Sequence, residues 1–257
     1  MIDLHCHVLP GVDDGPATVQ EAIQLARGAS ADGITTIVAT PHVDASHPEV
    51  RSARVRGAVA ELRSALAGAR VAVAIEAGAE VAFTRAMELD DAELHALTLG
   101  GAGWLLLECP LSTTAAPGFA TAARLLARRG HRILLAHPER SPIFHRAPEQ
   151  LDDLVAEGML SQLTARSLDG RFGRTVRELA LDLVARGAAH VVASDGHDAN
   201  RPARIAAHLR NAGLDTALSD WLTREVPAAV LDGAAPPRRP QGTRVRPRRG
   251  LARLARR

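Results

Sequence analysis

The sequence predicts an α/β fold built as one large barrel of β/α units, and three observations carry that expectation. Short apolar runs alternate with longer segments of helical periodicity, the sequence form of repeated β-α units and a mostly parallel sheet. The chain has 257 residues, a length typical of a single barrel. Ligand-type polar residues gather where the apolar runs end, which is where β/α barrels carry their sites. Hydrophobic residues make up 46% and charged residues 23%, enough to bury a substantial, mainly aliphatic core.

Seven runs read as strands: Ile2 to His5, Ile34 to Thr40, Val71 to Ile75 with an extension to Val81, Trp104 to Glu108, Arg132 to His137, Leu160 to Thr164, and His190 to Ser194. Between the first two, Thr18-Val19-Gln20-Glu21 forms a capping box, apolar residues recur through Ala29, and Gly33 supplies the stop of a helix. Pro48-Glu49 opens a helical segment to Leu66, Pro148-Glu149-Gln150 opens one to Ala156, and Thr175 to Ala185 forms another that ends at Gly187. Two further helical stretches lie around Arg204 to Asn211 and Ser219 to Leu231. Pro236-Pro237 then breaks the pattern, so residues 1–235 are expected to be the folded domain and 236–257 a disordered tail.

The charge is unevenly placed. Residues 236–257 hold nine Arg and no Asp or Glu, and setting these apart from the overall +2 leaves residues 1–235 at about −7. An acidic body suits cation binding better than a track for a phosphate backbone, so no nucleic-acid partner is expected. There is no Lys, and every basic side chain is Arg. Cys6 and Cys109 sit in apolar runs and cannot form a disulfide framework, so a reducing cytoplasm is expected. The start Met1-Ile2-Asp3-Leu4-His5 lacks the pattern of a signal peptide, and no stretch reaches the ~18 apolar residues of a membrane span.

The strand ends carry the chemistry. Run one ends in His5-Cys6-His7, run two in Thr40-Pro41-His42, run three in Gly78-Ala79-Glu80, and run four in Glu108. Run five ends in His137-Pro138-Glu139-Arg140 and run seven in Asp195-Gly196-His197; run six alone lacks a ligand-type residue. Strand alternation points His5 and His7 to one face and Cys6 to the other, and pairs Asp195 with His197 in the same way. With Asp14 from the Asp13-Asp14-Gly15 loop, nine residues converge, although that loop also reads as an ordinary turn with Asp13 solvated. Five His and four carboxylates favour Mn, Fe or Zn over Ca or Mg, with room for two or three ions. Closely spaced ions acidify a bridging water to hydroxide and clamp phosphoryl oxygens, so phosphoester hydrolysis is the expected reaction. A lone His-x-His is a weak signal; six strand ends of this kind are not explained by packing, because buried charges are expensive without partners. Arg140 and Arg201 either reach a substrate phosphate as bidentate donors or are surface arginines. His47, His95, His131, His145, His190 and His208 fall off the strand ends and read as surface or packing residues.

The stretch Met1 to Gly15, with Gly33-Ile34-Thr35-Thr36-Ile37-Val38-Ala39-Thr40-Pro41-His42, resembles the bacterial capsule and exopolysaccharide (CpsB/CapC-like) tyrosine phosphatases of the PHP (polymerase and histidinol phosphatase) superfamily. The resemblance continues through Gly78-Ala79-Glu80-Val81, Leu107-Glu108, His137-Pro138-Glu139-Arg140, Ser161 to Ala165 and Ala193 to His197, covering about residues 1–230. It implies a distorted seven-stranded (β/α)7 barrel, a centre of two or three divalent ions of the Mn2+ type, and hydrolysis of phosphotyrosine on a membrane tyrosine autokinase of polysaccharide export. It further implies His5, His7, Asp14, His42, Glu80, Glu108, His137, Asp195 and His197 as metal ligands and Arg140 and Arg201 as the phosphate clamp. The chain departs from the family at Arg201, one residue nearer the last His, and at Val43, where a second His is common. Tyrosinate leaves with a conjugate-acid pKa near 10, so metal charge suffices without a strong general acid.

Three other readings compete. Histidinol-phosphate or nucleic-acid phosphoester hydrolysis would use the same ligand pattern. An amidohydrolase-type barrel also begins with His-x-His, but its common carboxylated-Lys bridge has no residue here. A binding protein with structural metals would more often close its sites with four ligands including Cys. The Arg-rich tail either contacts an anionic membrane surface or is a solvated end.

Overall fold

The computed structural model describes residues 1–113 and 118–242. The apolar runs form strands β1 (Ile2–Cys6), β2 (Thr36–Ala39), β3 (His42–Val43), β4 (Ala74–Ala77), β5 (Glu80–Ala82), β6 (Trp104–Glu108), β7 (Arg132–Ala136), β8 (Leu160–Thr164) and β9 (Val191–Ala193). All pairings between them are parallel, in two sheets ordered β1-β2-β4 and β3-β5-β6-β7-β8-β9. Helices cover the sheets, so the central strands are buried on both faces; Leu105, Leu106 and Leu107 of β6 and Leu134 and Leu135 of β7 have no exposed surface. The fold is thus an α/β fold with parallel sheets, as expected.

The end of β9 lies against the free side of β1. Asp195 N–H donates to the His5 carbonyl (2.9 Å), and His7 N–H to the Gly196 carbonyl (2.8 Å). Buried Asp3 reinforces the junction by accepting from Ser194 N (2.9 Å) and Ser194 Oγ (2.6 Å). Desolvation pushes the Asp3 carboxyl up to about 6 in spite of those donors.

One expected strand is broken into two, and another is followed by a short strand that the sequence did not suggest. Pro41, just past the run Ile34 to Thr40, lacks an N–H and separates β2 in one sheet from His42–Val43, which forms β3 in the other. Gly78 lies at the break of the run Val71 to Val81, between β4 and β5, and keeps its N–H, which donates to the Ala39 carbonyl (3.0 Å). A Cβ at Gly78 would lie 2.8 Å from Val38 Cγ1 and 3.0 Å from Leu99 Cδ2, so only glycine lets these layers approach. The consequence is functional: β3 pairs with β5 so that His42 and Glu80 are direct neighbours.

Helix α1 (Val19–Ala31) starts where the capping box places it: Glu21 N–H donates to Thr18 Oγ1 (3.3 Å), and Thr18 N–H donates to Glu21 Oε2 (3.0 Å). It buries Ala22, Ile23, Leu25, Ala26 and Ala29, and Gly33 turns the chain at φ 89°. Helix α2 (Ser52–Gly68) starts later than Pro48 suggested. Its first N–H and the Ser52 hydroxyl both donate to Glu93 (2.8 Å each), a cap supplied from 41 residues away. Glu149–Ala156, Arg174–Arg186 and Ala206–Ala212 match the later expectations within two residues. The segment Thr216–Leu231 is helical throughout but contains a π-helical turn over Trp221–Glu225, just before Pro227 removes a backbone donor.

His190 is a packing residue, as the sequence reading expected. Its Nδ1 accepts from Ser161 N–H (3.2 Å), which requires an unprotonated nitrogen, and burial pushes its pKa down to about 4. Because the folded value lies below the unfolded one near 6.5, the stabilisation is complete above pH 6.5 and is lost as pH falls toward 4, on the order of 3 kcal/mol in all. His190→Gln keeps an acceptor for Ser161 and is expected to lose less stability than the unmodified protein between pH 7 and 4.5 in denaturant titrations. Equal losses would contradict the assignment.

Beyond the expected boundary at residue 235 the chain stays on the body: Trp221 Nε1–H donates to the Pro237 carbonyl (3.0 Å). The rest of the expected disordered tail, 243–257, lies outside the described residues. No described helix is long and apolar enough to cross a membrane.

Candidate metal centre

The ends of the strands bring all nine sequence-selected residues together. His5 and His7 project from the same side of the first strand and its continuation, with their Nε2 atoms 3.1 Å apart, and His7 stacks on His197 at 3.8 Å. Glu80 sits at the middle: its Oε2 lies 3.3 Å from His5 Nε2, 3.4 Å from His7 Nε2 and 3.1 Å from His42 Nδ1, and its Oε1 is 2.7 Å from His137 Nε2. Asp195 Oδ1 is 3.7 Å from both His5 and His7 Nε2. Asp14 Oδ1 lies 3.3 Å from His197 Nε2 and 3.6 Å from His42 Nε2. Three overlapping groups have donor atoms close enough to share an ion: His7-Asp14-His42-His197, His5-His7-Glu80, and His42-Glu80-Glu108.

The imidazoles are aimed, not merely near one another. His5 Nδ1–H donates to Gln162 Oε1 (2.9 Å), His197 Nδ1–H to the Asp195 carbonyl (3.0 Å), and His7 Nδ1–H to Asp13 Oδ2 (2.6 Å). These acceptors assign a hydrogen to each Nδ1, so each Nε2 points into the cluster, where other imidazole nitrogens and carboxylate oxygens already face it. Such an arrangement is repulsive unless protons or cations lie between. Among the described residues, the buried His42 Nδ1, His137 Nδ1 and His197 Nε2 find no hydrogen-bond partner. The donor set therefore fits divalent metal ions.

Electrostatics give the same reading. Burial opposes charge on His7, but the Asp13 and Glu80 carboxylates overcome it and hold the imidazole up to about 10. Burial and the nearby Glu80 charge push Glu108 up to about 8. Asp195 is held well below the usual carboxylate range, burial being outweighed by His5 and by the Arg140 guanidinium. Backbone strain sits at the same place: His137 (φ 36°) and Asp195 (φ 51°) are left-handed non-glycine residues at the ends of β7 and β9.

Both selected arginines reach this cluster. Arg140 Nη1–H donates to Asp195 Oδ2 (2.6 Å), with its guanidinium 4.4 Å over the Phe172 ring, and Arg201 Nη2–H donates to Asp195 Oδ1 (3.2 Å). Two contributors escaped the sequence reading. Asp13, which by sequence also reads as a solvated turn residue, has no exposed side-chain surface and accepts from His7, from His42 N–H (2.9 Å) and from Gly15 N–H (3.1 Å). The sixth run offers no ligand but supplies Gln162, which orients His5.

Residues 1–213 match the model of the family described as capsular polysaccharide synthesis, CpsB/CapC. The chain belongs to the CpsB/CapC family. Among curated relatives, it is 35% identical to the tyrosine-protein phosphatase YwqE of Bacillus subtilis (strain 168) over 199 residues, 77% of this chain and 78% of that one. It is 32% identical to the putative tyrosine-protein phosphatase CapC of Staphylococcus aureus over 204 residues, 79% of each chain. A crystal structure from work on YwqE of Bacillus subtilis and CpsB of Streptococcus pneumoniae, described as unique metal-dependent tyrosine phosphatases, superposes with a TM-score of 0.81 at 28% identity, covering 94% of this chain and 100% of the other.

Proposed function

We propose that this CpsB/CapC-family chain is a metal-dependent protein-tyrosine phosphatase. The observation that carries the reading is the set of three overlapping imidazole-carboxylate groups with two guanidiniums beside them. Relatives named as tyrosine-protein phosphatases support it. The two sheets are read as one distorted seven-position barrel, β2 and β3 sharing one position and β4 and β5 another, with β9 returning to β1.

His7, Asp14, His42 and His197 would hold one ion, His5, His7 and Glu80 a second, and His42, Glu80 and Glu108 a third, with His137 and Asp195 completing the set. Mn2+ is the ion assigned, with Fe or Zn as substitutes suited to the same ligands. Bound there, divalent ions supply Lewis acidity toward phosphoryl oxygen and lower the pKa of water. Asp13 and Gln162 fix the ring orientations of His7 and His5. Arg140 and Arg201 take the phosphoryl oxygens as bidentate donors, and their present hold on Asp195 keeps both beside the reacting group. The phenolate, with a conjugate-acid pKa near 10, departs without a strong acid.

The substrate is a phosphotyrosine protein, assigned as a membrane tyrosine autokinase of polysaccharide export, and the enzyme works in the cytoplasm. The nine Arg of 236–257 are assigned to contact with anionic membrane surface, at about 1 kcal/mol per charge. Mn-loaded protein assayed in parallel on a phosphotyrosine peptide, a phosphoserine peptide, histidinol phosphate and single-stranded DNA is expected to prefer the first. Preference for any other would overturn the substrate assignment.

A further inference from the structure

A groove of about 700 Å³ is lined by the chain neighbours of Asp14, His197 and Arg201 and has no part in the chemistry above. Its walls continue the loops that build the site. Gly15 directly follows Asp14, and a Cβ there would run into the His7 carbonyl oxygen; Asn200 lies in the short loop between His197 and Arg201. Pro202 of the lining directly follows Arg201, so the groove borders the loop that carries the second guanidinium.

The lining matches polypeptide. Two of its acids are engaged by their own backbone: Glu21 accepts from Ala17 N–H and Thr18 N–H, and Asp198 accepts from Asn200 N–H and Arg201 N–H. The lining further offers the amides of Gln20, Gln24 and Asn200 and one guanidinium, Arg204. Each amide both donates and accepts, as does every peptide unit of an extended chain. One arginine is too little for a polyanion such as nucleic acid.

The lining includes Gly28, inside α1. Glycine in a helix interior costs about 1 kcal/mol relative to alanine. Here nothing lies within 4 Å of where a Cβ would stand, so neither packing nor backbone conformation requires glycine. What its missing side chain provides is an open groove.

We propose that this groove binds the polypeptide flanking the phosphotyrosine on one side, so that the enzyme selects phosphotyrosine within an extended chain over small aryl phosphates. The proposal rests on the phosphatase reading above, and the experiment separates the two. Mn-loaded protein is assayed on a phosphotyrosine peptide with about four residues on each side, on the same peptide truncated on either flank, and on p-nitrophenyl phosphate. Gly28→Gln, which fills the groove with a good helix former, is expected to raise KM for the full peptide about tenfold and to change p-nitrophenyl phosphate turnover less than about twofold. Truncation of one flank, and not the other, is expected to reproduce the effect. Binding of the same peptide carrying a non-hydrolysable phosphonate provides a reading independent of turnover, with the same tenfold weakening in Gly28→Gln. Failure of the unmodified protein to hydrolyse either substrate would count against the phosphatase reading, and phosphonate binding would still decide the groove. Equal effects on peptide and p-nitrophenyl phosphate, insensitivity to both truncations, or phosphonate binding that is absent or unchanged in the variant would overturn the groove.

Discussion

Glu80→Gln is expected to reduce kcat on a phosphotyrosine peptide by about a thousandfold or more, several kcal/mol of lost transition-state stabilisation. Glu80 belongs to two of the three ion-holding groups and lies within 3.4 Å of four imidazoles, His5, His7, His42 and His137. Glutamine keeps the shape and one carbonyl oxygen but removes the negative charge that two cations would share. The loss should appear in metal content as well as in rate, with the circular dichroism spectrum retained. Turnover within about tenfold of the unmodified protein at saturating manganese would remove Glu80 from the centre.

The second large effect is expected at Arg140. Arg140→Ala should lower kcat/KM by about a hundredfold to a thousandfold, the range for loss of one preorganised donor to developing charge. Arg140→Lys should recover little of it, because an ammonium cannot reproduce the planar fork that grips two phosphoryl oxygens. The structure also offers a purely structural role, since Arg140 holds Asp195 at 2.6 Å and stacks on Phe172. Metal content separates the two. A phosphate-binding arginine leaves the bound metal unchanged while activity falls; an arginine that serves only to hold Asp195 loses metal and activity together, and that outcome would contradict the clamp.

The architecture was legible in the sequence wherever local rules govern it. The bounds of β6 and β8 follow from apolar runs closed by turns, and α1 follows from a capping box whose two hydrogen bonds are present. Strand alternation alone placed His5 opposite Cys6 and beside His7, and the strand-end rule gathered the other residues. What stayed hidden depends on contacts made across the chain. Asp13 reads as a turn residue until the fold brings His42 N–H to it from 29 residues away. Gln162 is one more buried strand residue until β8 carries it against His5, 157 residues distant. The start of α2 is set by Glu93, and no nearby residue signals it. Pro41 and Gly78 were visible, but that their breaks move β3 and β5 into the other sheet is a property of pairing, not of either run alone.

Asp195 illustrates why sites of this kind resist reading from one level. Its carboxylate is buried, its backbone is left-handed, and it is gripped by two arginines while facing the Nε2 atoms of two imidazoles. Burial of the charge and the left-handed backbone are each unfavourable taken alone, and the two arginines offset only part of that cost. Together they make sense once cations share the space.

The most direct test is therefore elemental analysis of protein purified without chelator, then reloaded with manganese and desalted. Two to three ions per chain are expected in the unmodified protein, falling by at least one in Glu80→Gln. A folded chain that retains less than about one ion after exposure to manganese, iron and zinc in turn would contradict the account at its root.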